Sequence, residues 1–253
     1  MAEKIVSPGV FTNEIDASFL PAAIGNIGAA VIGPTVKGPV GVPTVVTSYG
    51  EYQERFGDSF KSGSNYYTYF TSVAAKNYLQ HSGQLTVVRI AGDGFSPASA
   101  SVTASLGAVN SFELTTLSDG AILNSYSTVG TNGVLADGTR NNVRWEISTK
   151  NDKKGTFTLV IRRGDDNEKR KNPLETWKDL SLDPNSANYI SARIGDQYNT
   201  VKSDDGYYLQ PTGDYPNKSK YVRVSSVTQT VDYLDENGNL RVNAASASLP
   251  QLG

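Results

Sequence analysis

The segment "GAAVIGPTVKGPVGVPTVVTSYGEYQERFG", Gly28 to Gly57, narrowly limits what this chain can fold into. Glycines and prolines separate two apolar runs, "GAAVIG" and "PTVVTS", so each run reads as a short strand and the link as a tight crossover. The run Ile24 to Ile32, "IGNIGAAVI", has no polar alternation, which predicts a strand covered on both faces. Gly33 and Gly38 have the spacing of a phosphate-cradling loop, which requires Lys and then Ser or Thr after the second glycine. Pro39 and Val40 stand there instead, and Pro34 and Pro39 carry no amide hydrogen. Gly33, Pro34, Gly38 and Pro39 are therefore a structural loop, and the nucleotide reading falls away.

The flanking sequence extends this unit. "YGEYQERFG" predicts a short helical turn closed by Gly57. "SNYYTYFTSVAAKNYLQHSG" predicts a helix with Ser64 as its N-cap, a stripe of Tyr67, Phe70, Ala74 and Tyr78, and Gly83 past its end. "LTVVRI", 85 to 90, predicts another buried strand, and the resulting β-β-α-β order suits a sheet carrying helices.

At "AGDGFSPA", 91 to 98, the pattern changes to a domain exit. Beyond it "SASVTASL", "NSFELTTL", "NVRWEIST" and "TFTLVIRR" alternate as short strands between turn signals, predicting a small sandwich or barrel. "GDDNEKRKNP", 164 to 173, reads as a solvated loop, and Ser186 to Ile194 as helical. Residues 202 to 220 read as a long polar loop, "YVRVSSVTQTVDYL" as strand, and "NAASASLPQLG" as a frayed tail or cut edge. At the other end, alternation from Val10 to Asp16 gives a strand without an adjacent hairpin partner. It either pairs with a distant strand of its own fold or is donated to a neighbouring chain.

Composition excludes several functions. The 253 residues hold 23 Lys and Arg against 25 Asp and Glu, a net charge of -2, so no global field draws the chain to nucleic acid or an anionic membrane. Cysteine is absent, which removes disulfides and thiolate metal sites. No apolar run is long enough for a spanning helix, and "MAEKIVSPGVF" has no signal-peptide core. His81 is the one histidine and sits beside a helix end, which suits capping or exposure and leaves no His-based triad. "DENGNL" from Asp235 opens like a calcium loop, but its sixth and twelfth positions are Leu240 and Ser246, so a hairpin turn explains it better. Asp165, Asp166, Asp204 and Asp205 could in principle form a hydrolytic acid pair. They lie in polar loops where solvation is the ordinary explanation. The tyrosines of "GYYLQPTGDY", 206 to 215, could stack on a sugar, as in an adhesin or carbohydrate-binding module, or pack across strands. No enzyme, cofactor or metal is expected.

Four segments in order, "SPGVF", "AAVIGPTVKGPVGVPTVVTSYGEYQERFG", "SGQLTVVRIAG" and "LETWKDLSLDPNSANYISARIGDQ", resemble the N-terminal part of contractile tail sheath proteins of bacteriophages. The resemblance implies a structural subunit that forms stacked hexameric rings around an inner tail tube and contracts to drive that tube through the host envelope. It implies partners in other copies of the subunit, the tube and the baseplate, with no nucleic acid and no membrane insertion. The expected place is the virion, after assembly in the host bacterial cytoplasm. By the same resemblance residues 1–20 are an extended arm anchored on a neighbour through Val10, Phe11 and Ile15. Residues 21–97 and 186–253 form a middle α/β domain, and 98–185 an inserted, outward-facing β-rich domain. The fold class expected is thus α+β or mixed α/β, a sheet-and-helix domain with an inserted small β-sandwich or β-barrel and an extended N-terminal arm. Chains of this family usually continue into a C-terminal domain that contacts the tube, and that part is absent from these 253 residues.

Overall fold

The computed structural model describes residues 28–105, 109–124, 128–203, 206, 208–241 and 248–253. Val10, Phe11, Ile15 and the rest of the expected arm lie outside the described residues. The fold mixes helix and sheet, mostly as small sheets with few helices.

The first unit contains strands β1 (Ala29–Gly33) and β2 (Thr44–Val46) and helix α1 (Tyr49–Phe56). The hairpin β3 (Ser59–Ser62) and β4 (Asn65–Thr68), helix α2 (Phe70–Leu79) and strand β5 (Leu85–Arg89) complete it. One sheet has the order β1-β5-β2, with β1 parallel and β2 antiparallel to β5. Helix α1 is capped by Ser48, whose Oγ accepts from Glu51 N at 3.2 Å, while the Glu51 carboxylate reaches back one residue further and accepts from Thr47 N at 2.9 Å. Gly57 ends the helix, donating to Gln53 O.

Both helices lie on one face of this sheet. Val46, Leu85 and Val87 are buried there with Tyr52, Phe56 and Ala75, while Ala29, Val31, Tyr78 and Leu79 pack at the rim. The opposite face carries Ala30, Ile32, Val45 and Ile90, all exposed, with Val88 half-buried opposite Ile32. The two apolar runs expected to be covered on both faces are thus covered on one, because α1 and α2 occupy the same side.

The long helix expected from Ser64 is also corrected. Residues 59–68 form the β3–β4 hairpin around Gly63-Ser64, and α2 begins only after Tyr69, whose ring stacks on Phe60 at 5.1 Å. Tyr67 belongs to the hairpin and Phe70 is 92% exposed. The buried face of α2 is Thr71, Ser72 and Ala75, one position round from the expected stripe.

The second unit begins with β6 (Ser99–Thr103), β7 (Asn110–Thr116) and the short α3 (Ala121–Asn124). Strands β8 (Val143–Asn151), β9 (Thr156–Arg163) and β10 (Pro173–Ser181) follow, then α4 (Ile190–Ile194). The hairpin β11 (Tyr198–Lys202) and β12 (Tyr208–Thr212) and the strand β13 (Val222–Val227) complete the order. Two antiparallel sheets, β13-β7-β6 and β10-β9-β8, share one core, with Phe112 of one stacked on Phe157 of the other at 5.5 Å.

That core also takes Tyr189, Ile190, Ile194, Tyr221, Tyr233 and Leu249. The expectation grouped 186–253 with 21–97. Helix α4 and strand β13 instead pack with the β-rich part, since β13 pairs β7 and α4 rests on β10 and β13, while Lys220 reaches Glu54 of the first unit. The expected loop at 202–220 instead contains strand β12, which pairs with β11 just before it. The expected frayed tail is docked at 248–253: Leu249 is fully buried, Ser105 N donates to Leu249 O at 2.7 Å, and Ile147 N to Gly253 O at 3.0 Å. No helix among the described residues is long and apolar enough to cross a membrane.

Candidate functional site

The Gly-Pro crossover leaves β1 at Gly33 and passes between α1, α2 and β5. At Gly33 a Cβ would lie 2.5 Å from Thr71 Oγ1, so only glycine lets the strand end abut α2. Gly38 has φ +109, and a Cβ there would meet the Phe56 ring at 2.7 Å. Pro34 and Pro39 follow a glycine and approach the next one, holding the bends without amides that would need acceptors. Lys37 N donates to Phe56 O at 3.0 Å, and Val40 makes a parallel bridge with Arg89.

Two of the crossover's amides are already occupied. Gly38 N donates to Ser118 Oγ at 2.7 Å, and Val40 N to the Asp119 carboxylate at 3.2 Å. An internal hydroxyl and carboxylate, some 80 residues along the chain, take the donors that a phosphate would need. Arg89 locks the arrangement: its Nη1 donates to Gly38 O at 2.6 Å and to Asp119 O at 2.7 Å. Its Nε is enclosed without a hydrogen-bond partner. Burial pulls the Arg89 guanidinium below the ordinary arginine range, while Asp119 and Tyr69 push it back up. The crossover is therefore a joint between the two units, and its chemistry is shape and hydrogen bonding.

Local sequence does not mark Arg89, Ser118 and Asp119 as one group. A signal for Arg89 existed, a lone cation in the apolar strand "LTVVRI", but nothing local marks Ser118 and Asp119 as its neighbours.

The other sequence candidates are dispersed. Asp165 pairs with Arg163, and Asp166 with Arg162 through both oxygens at 2.7 and 2.9 Å. The expected solvated loop at 164–173 is thus partly corrected, since Asp166 is buried and also accepts from Asn172 N at 2.9 Å. Glu168 reaches Arg162 at 3.1 Å, Glu146 is in direct contact with it, and Lys171 holds Glu146 at 2.8 Å. Burial alone would lower the Arg162 pKa, but its hydrogen bonds to Asp166, Glu168 and Glu146 raise it above the ordinary range.

Asp204, Asp205 and Tyr207 lie outside the described residues. Tyr208 is exposed on β12, while Tyr215 meets Tyr189 edge-on at 6.0 Å, so these two rings form no common stacking platform. Asp235 accepts from Asn237 N and Asn239 N at 2.9 and 2.7 Å, and Leu234 bridges Leu240, which is the expected hairpin turn. His81 is exposed after α2. Among the described residues no three His, Cys, Asp or Glu side chains converge to hold a metal.

No protein-family model matches this sequence, and no curated protein matches it. Among solved structures, the chain is similar to a sheath tail protein from Desulfitobacterium hafniense, at 13% identity and a TM-score of 0.32 over 95% of this chain and 41% of that one. It is also similar to a sheath tail protein from Listeria innocua, at 10% identity and a TM-score of 0.31 over 81% of this chain and 36% of that one. The chain spans less than half the length of either.

Proposed function

We propose that this chain is the N-terminal part of a contractile phage tail sheath subunit, a structural protein that catalyses nothing and takes no cofactor. The observation that carries this reading is the set of four ordered segments that resemble the sheath family. The second and third of them make one connected object, with the crossover leaving β1 and its backbone bonded to β5 and α1. In this reading the subunit joins copies of itself into stacked hexameric rings around an inner tube and contracts by rigid-body rearrangement. Residues 1–20 add a strand to a neighbour through Val10, Phe11 and Ile15, and the tube and baseplate are further partners. Assembly takes place in the host bacterial cytoplasm, and the finished part belongs to the virion.

An assembling role is also supported by the uncovered sheet face, where Ile32 is 65% and Ile90 54% exposed beside Val45. Contiguous apolar surface of this kind marks interaction sites. Electron microscopy of the longest natural form of the chain tests the proposal, with rings or tubes expected. Their absence under every assembly condition, with and without tail tubes, would sink it. Deleting residues 1–20 is expected to leave the rest folded while blocking lateral assembly; an unfolded product would make the segment an internal strand.

A further inference from the structure

The crossover leaves one polar side chain without a partner. Lys37 is only 6% exposed, and among the described residues its ammonium makes no hydrogen bond and no ion pair. Tyr221, 7% exposed, likewise has a hydroxyl without a partner. Both line a cavity of about 390 Å³ between α1 and the second unit, together with Arg140 and Asn141.

The charges around that cavity are unequally used. Glu54 is engaged by Lys220 at 2.9 Å. Asp58 accepts from Tyr49 Oη at 2.8 Å and Gln53 Nε2 at 3.2 Å, and lies 3.8 Å from Arg140. Arg163, which also lines the cavity, is paired with Asp165. The carboxylates lining the cavity, Glu54 and Asp58, thus have cations or donors of their own, and among the described residues none lies within ion-pair distance of the Lys37 ammonium, on which Glu54 acts only from farther off. An ammonium largely withdrawn from water and facing a cavity with no ion-pair partner is costly. Burial, with Arg140 next in weight and Glu54 pulling weakly the other way, lowers the Lys37 pKa to about 8.

We propose that this cavity binds a small oxyanion of the phosphate type, held by Lys37, Tyr221 and Arg140. Such a ligand gives the ammonium a counter-ion and the tyrosine hydroxyl an acceptor at the same place. The donors are side chains, so the site is separate from the crossover amides, which Ser118 and Asp119 already occupy. The inference does not depend on the sheath reading.

The test is an NMR titration of the 253-residue chain, carrying 13Cε-labelled lysine, with inorganic phosphate at constant ionic strength. A saturable response at Lys37 is expected, and its titration midpoint should rise in bound phosphate. Lys37→Met should weaken binding about tenfold or more and Tyr221→Phe by less, with thermal melts showing that both variants fold. If Lys37→Met does not fold, Arg140→Gln, on a half-exposed side chain, supplies the same comparison. An equal response to chloride, a response to acetate but not phosphate, an unmoved Lys37 midpoint, or unchanged affinity in the variants would overturn the proposal.

Discussion

Arg162 and Arg89 are both almost wholly buried, yet the two regions accommodate a buried guanidinium in opposite ways. Around Arg162 the β8–β10 sheet and the loop between β9 and β10 supply Glu146, Asp166 and Glu168, with Arg144 and Lys171 completing a closed ion cluster. Around Arg89 the acceptors are two backbone carbonyls, Gly38 O and Asp119 O, and Nε has none. The first cluster holds one sheet to its own loop. The second joins segments from two units, so its loss should be felt as uncoupling as well as destabilisation.

The largest effect should come from breaking the closed cluster. Asp166→Ala leaves Arg162 buried without its bidentate partner and should cost about 3–5 kcal/mol in urea unfolding. The double change Arg162→Met with Asp166→Leu should recover most of that loss. If Asp166→Ala costs no more than an ordinary surface substitution, the contrast between the two arginines is lost.

Arg89→Met should cost less, about 1–3 kcal/mol, because two carbonyls lose a donor while the orphaned Nε also disappears. Both tryptophans, Trp145 and Trp177, lie in the second unit, whereas α1 and α2 lie in the first. Tryptophan fluorescence and far-UV circular dichroism should therefore unfold together in the parent chain and separately in Arg89→Met. Coincident curves in the variant would mean that the joint does not depend on this arginine.

Lys37 gives a pH test of the same joint. In the folded chain it loses its proton near pH 8, against an ordinary value of 10.5, so between these the unfolded chain binds the additional proton. Stability should consequently rise from about pH 8 to about pH 10 by roughly 1–2 kcal/mol, and Lys37→Met should flatten the rise. Above pH 10 the trend should reverse, because burial, followed by Glu54 and Glu175, raises Tyr221 to about 12 and keeps it protonated in the folded chain. The smallest effect is expected from Asp119→Ala, about 1 kcal/mol, since it removes the acceptor for Val40 N while the Arg89 bond to the Asp119 backbone carbonyl survives.

Local chemistry made part of this fold legible. Gly57 closes α1, and the alternation in "NVRWEIST" and "TFTLVIRR" gives β8 and β9 because each strand has one face in the core. The stripe Tyr67, Phe70, Ala74, Tyr78 has helical spacing yet spans a strand and a helix, and the turn at Gly63-Ser64 is the local signal that separates them. Strand β10 escaped because a bulge between Trp177 and Leu180, with Asp179 at φ +55, breaks the period-two pattern. The grouping of 186–253 failed because pairing of β13 with β7 is set by long-range packing that no local window contains. At the candidate site Gly33 and Gly38 were readable from spacing, whereas Arg89, Ser118 and Asp119 meet only in the folded chain.

The β7–β13 pairing has a consequence for the order in which the molecule can be made. Thr228 Oγ1 donates to Asn110 O, 118 residues earlier, beside the β13 register on β7. The first unit can close once Arg89 has left the ribosome, and β8, β9 and β10 can pair as they emerge. Strand β7 must wait for its second neighbour on the order of ten seconds at ordinary translation rates, with one edge open and Phe112 and Leu114 short of part of their core. Chains halted between Asn124 and Val222 should therefore be the aggregation-prone species during synthesis, and completing β13 should be the event that ends the exposure.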